Sequence, residues 1–313
     1  MPSSATVIIP VRDGEATLAA CLASVLDQDT GDFEVAVVDD GSSDGTAAII
    51  ERFAGADGRL RHLRLDRSLG PAAARNAAIR LARAPVLLFV DADCVVARDW
   101  VRLHCLAQRE ARIVGGAVLG LHSTACGRAD GYCSWFASFP QLARGRRRTD
   151  HLPTANLSVA RSVFERVGLF REGEPLYSED AEFCERARRA GEQLFFDPAI
   201  LIRHRDRDGL REYLRHQWIA GIQMLNYRRE PGARYRWLMP RGPASGAVLA
   251  VPLAAAYTAF IVAQWLAVER RVLAYVPLIF AGKLAQTAAM AAYSTVPSGA
   301  VPVAPRLPPP DAL

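Results

Sequence analysis

Apolar residues in the first third of the chain fall in short runs, at Thr6–Pro10, Phe33–Val38, Leu60–Leu65 and Val86–Val90. Runs of this length fit strands buried on both faces of a parallel sheet. The segments between them carry helical spacing. Leu18, Cys21, Leu22, Val25 and Leu26 share one face of a helix over Glu15–Gln28. Thr46–Ala54 reads as a helix after a polar loop, and Gly70–Ala84 as another with Pro71 in its first turn. Strands alternating with helices predict an α/β domain with a doubly wound sheet. The pattern continues with a helix at Trp100–Glu110, a strand at Arg112–Leu121 and an irregular segment from Ser123 to Asp150. Beyond it come a strand at Thr154–Ala160, helices at Arg161–Val167 and Ala181–Ala190, strands at Leu194–Phe196 and Ile200–Ile202, and a helix at Leu210–Tyr227.

The last third changes character. A basic stretch, 228–243, precedes two apolar runs, Ala244–Ala267 and Val272–Tyr293, and a proline-rich tail over 295–313. Each apolar run is long enough to cross a bilayer. Arg234, Arg236 and Arg241 before the first run favour a cytoplasmic catalytic domain. Arg270 and Arg271 between the runs disfavour a spanning hairpin, so an in-plane or re-entrant pair stays open. So does a buried soluble pair, given the alanine content and Lys283 inside the second run. The tail reads as disordered.

Half of the 313 residues are hydrophobic (50%) and the formal net charge is +5. Lys283 is the only lysine, so the basic character is carried by arginine. No nucleic-acid-binding signature accompanies it, and no nucleic-acid partner is expected. The basic run Arg144–Arg148 reads either as a solvated loop or as a loop over a phosphorylated acceptor, near Trp135, Phe136 and Phe139. The six cysteines form no C-x-x-C pair, which argues against a zinc knuckle and for a reducing compartment. Val7–Val11 is too short to be the core of a signal peptide.

Chemistry is concentrated in carboxylates. The strand Val86–Val90 stops at Asp91-Ala92-Asp93. Side chains two apart in extended chain share a face, so both carboxylates point to the edge where open α/β sheets bind ligands. They form either a site for a hard divalent ion or a solvated turn. A second pair, Glu179-Asp180, precedes a helix and reads locally as a capping acid. His204 follows a strand and reads locally as a structural or surface histidine.

Four motifs in register narrow these choices. They are Val-Ile-Ile-Pro-Val-Arg-Asp-Gly-Glu at 7–15, Val-Val-Asp-Asp-Gly-Ser-Ser-Asp-Gly-Thr at 37–46, Gly-Pro-Ala-Ala-Ala-Arg-Asn at 70–76, and Phe-Val-Asp-Ala-Asp at 89–93. Their order and spacing resemble the inverting family 2 glycosyltransferases of GT-A fold, over Thr6 to about Tyr227. The resemblance implies a Rossmann-like, doubly wound mixed sheet over 1–227; the charge and apolar runs place a basic linker over 228–243 and two membrane-spanning or in-plane helices over 244–294. The resemblance also implies transfer of a sugar from a nucleotide-diphosphate donor to an acceptor hydroxyl, assisted by Mg²⁺ or Mn²⁺. Pro10, Arg12, Glu15, Asp40, Arg75, Asp91 and Asp93 are then expected to bind the donor. Asp93, Asp91 and His204 are the expected metal ligands. Asp180 is the expected general base, with Glu179 and Asn156 orienting it or binding acceptor.

The apolar runs add a cell-membrane location and a lipid-linked or cell-envelope glycan as acceptor. Gln217-Trp218 lacks the Gln-x-x-Arg-Trp spacing of processive synthases, so processive synthesis is not expected. Two rivals are a sugar nucleotidyltransferase, for which Pro10–Gly14 is a poor phosphate loop, and an inactive membrane-tethered scaffold. No Gly-x-Ser-x-Gly elbow or Walker A sequence is present.

Overall fold

The computed structural model describes residues 3–135, 145–173, 178–229, 240 and 242–297. Phe136, Phe139, Arg144, Arg234, Arg236, Arg241 and the tail from 298 lie outside the described residues. The chain forms two compact units. One comprises Met1–Leu119, Ser138–Gly173 and Glu179–His204; the other comprises Gly120–Ala137, Glu174–Ser178 and Arg205–Leu313.

The first unit is built on a mixed sheet. Its parallel half contains β1 (Ala5–Val11), β2 (Phe33–Asp39), β3 (Leu60–Arg64) and β4 (Val86–Val90). The helices α1 (Leu18–Leu26), α2 (Thr46–Ala56) and α3 (Pro71–Leu81) link them. Val7, Ile8, Ile9, Val37, Leu88 and Phe89 are fully buried, as expected for strands covered on both faces. β1 pairs with β2 from Ala5↔Phe33 to Val11↔Asp39, and with β4 from Ala5↔Val86 to Ile8↔Phe89. This register brings Arg12, Asp40 and Asp91 to one edge, just past the carboxyl ends of three adjacent strands.

The other half is antiparallel. It contains β5 (Cys94–Val96), β6 (Ile113–Leu121), β7 (Arg147–Thr149), β8 (Asn156–Ala160) and β9 (Leu194–Arg205). Its helices are α4 (Trp100–Ala107), α6 (Arg161–Val167) and α7 (Glu179–Arg189); α5 (Ala125–Trp135) belongs to the second unit. Among the described residues the strand order is β3-β2-β1-β4-β8-β6-β9-β5, with β7 paired to β9. β9 is one strand, not the two pieces expected around Pro198. A proline in a strand is tolerated where its missing donor leaves no gap, and the Asp197 carboxylate takes the Ala199 N–H here at 3.0 Å.

The irregular segment expected from Ser123 contains a helix. Asp208 accepts the backbone N–H of Ser123 and Thr124 at 3.0 and 3.2 Å, and the Thr124 hydroxyl accepts the Gly127 N–H at 3.1 Å. These bonds cap the start of α5. The sequence hid the helix behind Gly127 and Gly131, where a Cβ would meet the carboxylates of Asp208 and Asp206. Arg147 and Arg148, expected in the same loop, lie on β7 with their guanidinium groups over the rings of Phe196 and Phe195.

The second unit is helical. Besides α5 it contains α8 (Leu210–Arg229), α9 (Pro243–Leu266), a tight 3₁₀ turn at Arg270–Tyr275, and α10 (Val276–Ala292). The two apolar runs match α9 and α10 closely. Both apolar stretches, Pro243–Leu266 and Arg270–Ala292, are long and apolar enough to cross a membrane, by length and composition. The tyrosine Oη of Tyr213 donates to the Leu278 carbonyl at 2.9 Å, tying α8 to α10.

Candidate active site

The turn after β1 and the loop after β2 are sewn together. Asp13 accepts the Ser43 N–H at 2.8 Å, and the Gly14 N–H donates to Thr46 Oγ1 at 2.8 Å. Glu15 accepts the Gly45 N–H at 3.1 Å. Gly41 is required here: its φ is 69°, and a Cβ would lie 2.8 Å from the backbone of Arg67 and Ser68. Asp40 is 4% exposed and both its oxygens are engaged. They accept from the Leu69 N–H at 2.7 Å, the Gly70 N–H at 2.9 Å and the Ser68 hydroxyl at 2.8 Å. Arg12 donates to the same Ser68 hydroxyl at 2.8 Å. Asp40 and Arg12 therefore shape the loop that leads into α3. Pro10 stands opposite Val38 in the ladder, next to this edge.

Arg75 is the centre of the charged cluster. It projects from α3, is 4% exposed, and reaches two carboxylates. Its Nη2 is 2.7 Å from Asp91 Oδ1 and its Nη1 is 2.5 Å from Glu179 Oε1. Burial works against its charge, but Asp91 and Glu179 more than offset this and hold its pKa above the ordinary value. Next to Glu179, the two members of the second acidic pair diverge. Burial pushes the Glu179 carboxyl up, and Arg75 offsets this only in part. Burial also opposes ionisation of Asp180, but His151 reverses the sign and holds Asp180 below the usual carboxylate range. His151 Nε2 lies 3.5 Å from Asp180 Oδ2. Desolvation disfavours the charged imidazole, yet Asp180 raises its pKa above the ordinary value. No local motif marks His151; only the fold brings it to Asp180.

On the other side, the β5–β9 ladder pairs Cys94 with His204. That register sets His204 Nε2 3.3 Å from Asp93 Oδ2. Ligand atoms of Asp93, Cys94 and His204 all lie within 4.8 Å of one another. At 3.3 Å, these two donor atoms are close enough to be shared by one divalent ion. Cys94 is a poor third ligand. Burial, reinforced by Asp93 and Asp91, pushes its thiol pKa well up, so it stays protonated. Its Sγ lies 3.7 Å from Asp93 Oδ1, oriented to donate. The carboxylate and imidazole fit a hard or borderline divalent ion. Asp91, expected beside Asp93 as a ligand, turns one oxygen to Arg75.

Asn156 stands opposite Val90, at the end of β4 beside Asp91, but its side chain is turned into the fold. It is fully buried. Its Nδ2 donates to the carbonyls of Ala117 and Ile200 at 2.8 and 3.0 Å. Its Oδ1 accepts from Trp100 Nε1 at 2.8 Å and lies 3.1 Å from His104 Nε2. Burial lowers the His104 pKa to about 4, so this is a neutral polar hub inside the fold. All four hydrogen-bonding positions of the amide are taken, which leaves none for an acceptor sugar.

Residues 6–119 match the sequence model for glycosyl transferase family 2. Glycosyltransferase AglE of Haloferax volcanii is 30% identical over 220 residues, which cover 69% of this chain and 71% of that protein. The chain belongs to glycosyl transferase family 2. It is a glycosyltransferase. The alignments to two further curated relatives cover only 24% and 26% of their length. The family 2 chain shares its fold with a mannosyltransferase from Pyrobaculum calidifontis, solved with GDP-Man and Mn²⁺. That match has a TM-score of 0.62 and 19% identity and covers 95% of this chain and 88% of the other. S. aureus TarS 1–349, solved with UDP-GlcNAc, matches with a TM-score of 0.53 and 17% identity, covering 91% and 90%. The GT-A fold expected from the four motifs is thus the fold of this family 2 enzyme.

Proposed function

We propose that the enzyme transfers a sugar from a nucleoside-diphosphate sugar to an acceptor hydroxyl in one displacement, with inversion at the anomeric carbon. The observation that carries this reading is the unbroken line of charge through Arg75. Asp91 and Glu179 flank its guanidinium. Asp93 with His204 lies two residues beyond Asp91, and Asp180 with His151 one residue beyond Glu179. One end offers a cation site, the other a carboxylate kept ionised.

Asp93 and His204 hold the divalent ion, Mg²⁺ or Mn²⁺, which when bound supplies Lewis-acid neutralisation of the departing diphosphate. The Mn²⁺ of the Pyrobaculum neighbour supports that choice of class. Arg12 and the loop braced by Asp40 face the nucleoside end of the donor. Arg75 fixes Asp91 and Glu179 so that both carboxylates keep their places as charge develops. Asp180 accepts the proton of the acceptor hydroxyl as the new C–O bond forms and the diphosphate leaves. Glu179, whose carboxyl is held up, orients the acceptor.

GDP-Man and UDP-GlcNAc in the two neighbours support a nucleotide-sugar donor without choosing its base. The acceptor is a lipid-linked or cell-envelope glycan at the cell membrane, with the catalytic unit on the cytoplasmic side. The apolar α9 and α10 support this placement. The test is a donor panel on isolated membranes, following nucleoside diphosphate release and product anomer. Release of pyrophosphate, or retention at the anomeric carbon, overturns the proposal.

A further inference from the structure

The helical unit contains a contradiction for any membrane-spanning reading. α8 runs beside α10 in the same direction along its length. Tyr213 meets Leu278, Gln217 meets Lys283, Gly221 meets Gln286, and Arg229 meets the carbonyls of Tyr293 and Ser294. A spanning α10 would carry α8 across with it. Between His216 and Arg228, α8 has only 11 residues free of Asp, Glu, Lys, Arg and His. That is roughly 16 Å of helix against a hydrocarbon core of about 30 Å.

Charged groups also sit at mid-depth. Lys283, near the middle of α10, is buried and donates to Gln217 Oε1 and Gln286 Oε1, both at 2.9 Å. Gln217 continues to the buried Asp130 at 3.0 Å, which His216 Nδ1 meets at 2.7 Å. Arg228, 3% exposed, donates to the Tyr257 hydroxyl at 2.7 Å near the middle of α9. Ionisable groups at the midplane of a bilayer are costly. Inside a protein unit at the surface, the same hydrogen-bonded network costs far less.

α9 has a different outer face. One stripe, Gly246, Ala250, Ala254, Ile261 and Trp265, is buried. Thr287 Oγ1 donates to the Ala250 carbonyl at 2.9 Å, and Gly246 lets Ala291 approach. The opposite side is apolar and exposed: Val248 is 76% exposed, Val251 55% and Phe260 52%, with Leu273 of the following turn at 56%. From Pro243 to Leu266 there is no Asp, Glu, Lys, Arg or His. The helix is about 36 Å long. Arginines bracket it, Arg241 before its start and Arg270 and Arg271 after its end. An apolar strip with cationic ends and almost no hydrogen-bonding groups matches acidic headgroups above acyl chains. It offers little of the polar rim that gives a protein partner specificity.

We infer that the helical unit is a monotopic anchor: the outer face of α9 and the Arg270–Tyr275 turn lie in the interface of an acidic bilayer, and neither α9 nor α10 crosses it. This rests on the membrane association proposed above and deepens it, and its test reads topology rather than turnover. Ala244→Cys and Arg271→Cys place a thiol at each end of α9. In sealed membrane vesicles that expose the catalytic unit, both react with a membrane-impermeant maleimide without detergent, beyond the wild-type background. A thiol that reacts only after detergent shows a crossing helix and overturns the inference. Val248→Glu/Val251→Glu/Phe260→Glu, checked for folding by circular dichroism, moves the chain to the supernatant at alkaline pH and weakens flotation with acidic-phospholipid vesicles at least tenfold. Retention of that variant in the alkaline pellet also overturns it. So does a soluble wild type whose sedimentation shows a second copy on this face.

Discussion

His151 Nε2 lies 3.5 Å from Asp180 Oδ2, and the two groups hold each other charged. The pKa of Asp180 is lowered and that of His151 is raised. The pair is therefore intact above the lowered Asp180 pKa and below the raised His151 pKa. It weakens as pH falls through the first or rises through the second. The proposed base Asp180 must be ionised to take a proton, so His151 is expected to extend the active range toward acid. His151→Ala removes the offset and leaves burial to push the Asp180 carboxyl up. The acid limb of log(kcat/KM) against pH then moves to higher pH, with kcat at its plateau changed less. An unmoved limb would remove His151 from the mechanism.

Asp180→Asn keeps the shape of the site and removes the proposed proton acceptor. Donor binding is retained and transfer falls about a hundredfold or more. Calorimetry with nucleoside diphosphate separates the two effects. Near-normal turnover in this variant would assign the base elsewhere.

Asp93 and His204 come together only through the ladder that sets Cys94 opposite His204. Asp93→Ala and His204→Ala each remove half of a 3.3 Å donor pair. Both variants lose the Mn²⁺-dependent part of nucleoside diphosphate binding and keep the metal-independent part. Cys94→Ser, which leaves the pair in place, keeps Mn²⁺ dependence. Undiminished Mn²⁺ dependence in Asp93→Ala would sink the assignment.

The parallel half of the sheet was legible because its information is local. The runs ending at Pro10, Val38 and Val90 are short, apolar and followed by loop residues, so both strand and edge can be read from the chain. Asp91 and Asp93 sit at that edge by the same logic. The antiparallel half depends on contacts between distant segments. Nothing near His151 points to Asp180, and nothing near Cys94 points to His204. The α5 helix was hidden because its cap, Asp208, follows it by more than seventy residues and its glycines lower helix propensity. The engagement of the Asn156 amide was hidden for a related reason. In sequence, an amide at a strand start looks available; in the fold its four bonds are already made.

Asn156 is therefore predicted to govern stability. Asn156→Ala leaves the carbonyls of Ala117 and Ile200, the Trp100 N–H and the His104 ring without their partner. Each buried group left unpaired costs about 1–3 kcal/mol. Relief by relaxation makes the sum smaller than four such terms, but the melting temperature falls clearly. KM for the acceptor stays at its wild-type value in the folded fraction at low temperature. A raised acceptor KM with an unchanged melting temperature would return Asn156 to the acceptor site.

Arg75 joins two carboxylates from distant parts of the chain, at 2.7 Å to Asp91 and 2.5 Å to Glu179, and is 4% exposed. Removing one member of such a cluster strands the others, at a cost of about 3–5 kcal/mol. Arg75→Met should lower stability by that order in denaturant titration. Adding Glu179→Gln removes one stranded charge, so the double variant should recover part of the loss rather than add to it. Turnover separates this role from a purely structural one. If Arg75 only braces the fold, the double variant regains the activity of the Glu179→Gln single variant as it regains stability. If it also holds Asp91 and Glu179 for the departing diphosphate and the acceptor, stability returns while kcat stays low. The second outcome is the one expected, because Glu179→Gln restores charge balance around Asp91 without restoring the guanidinium that fixes its direction.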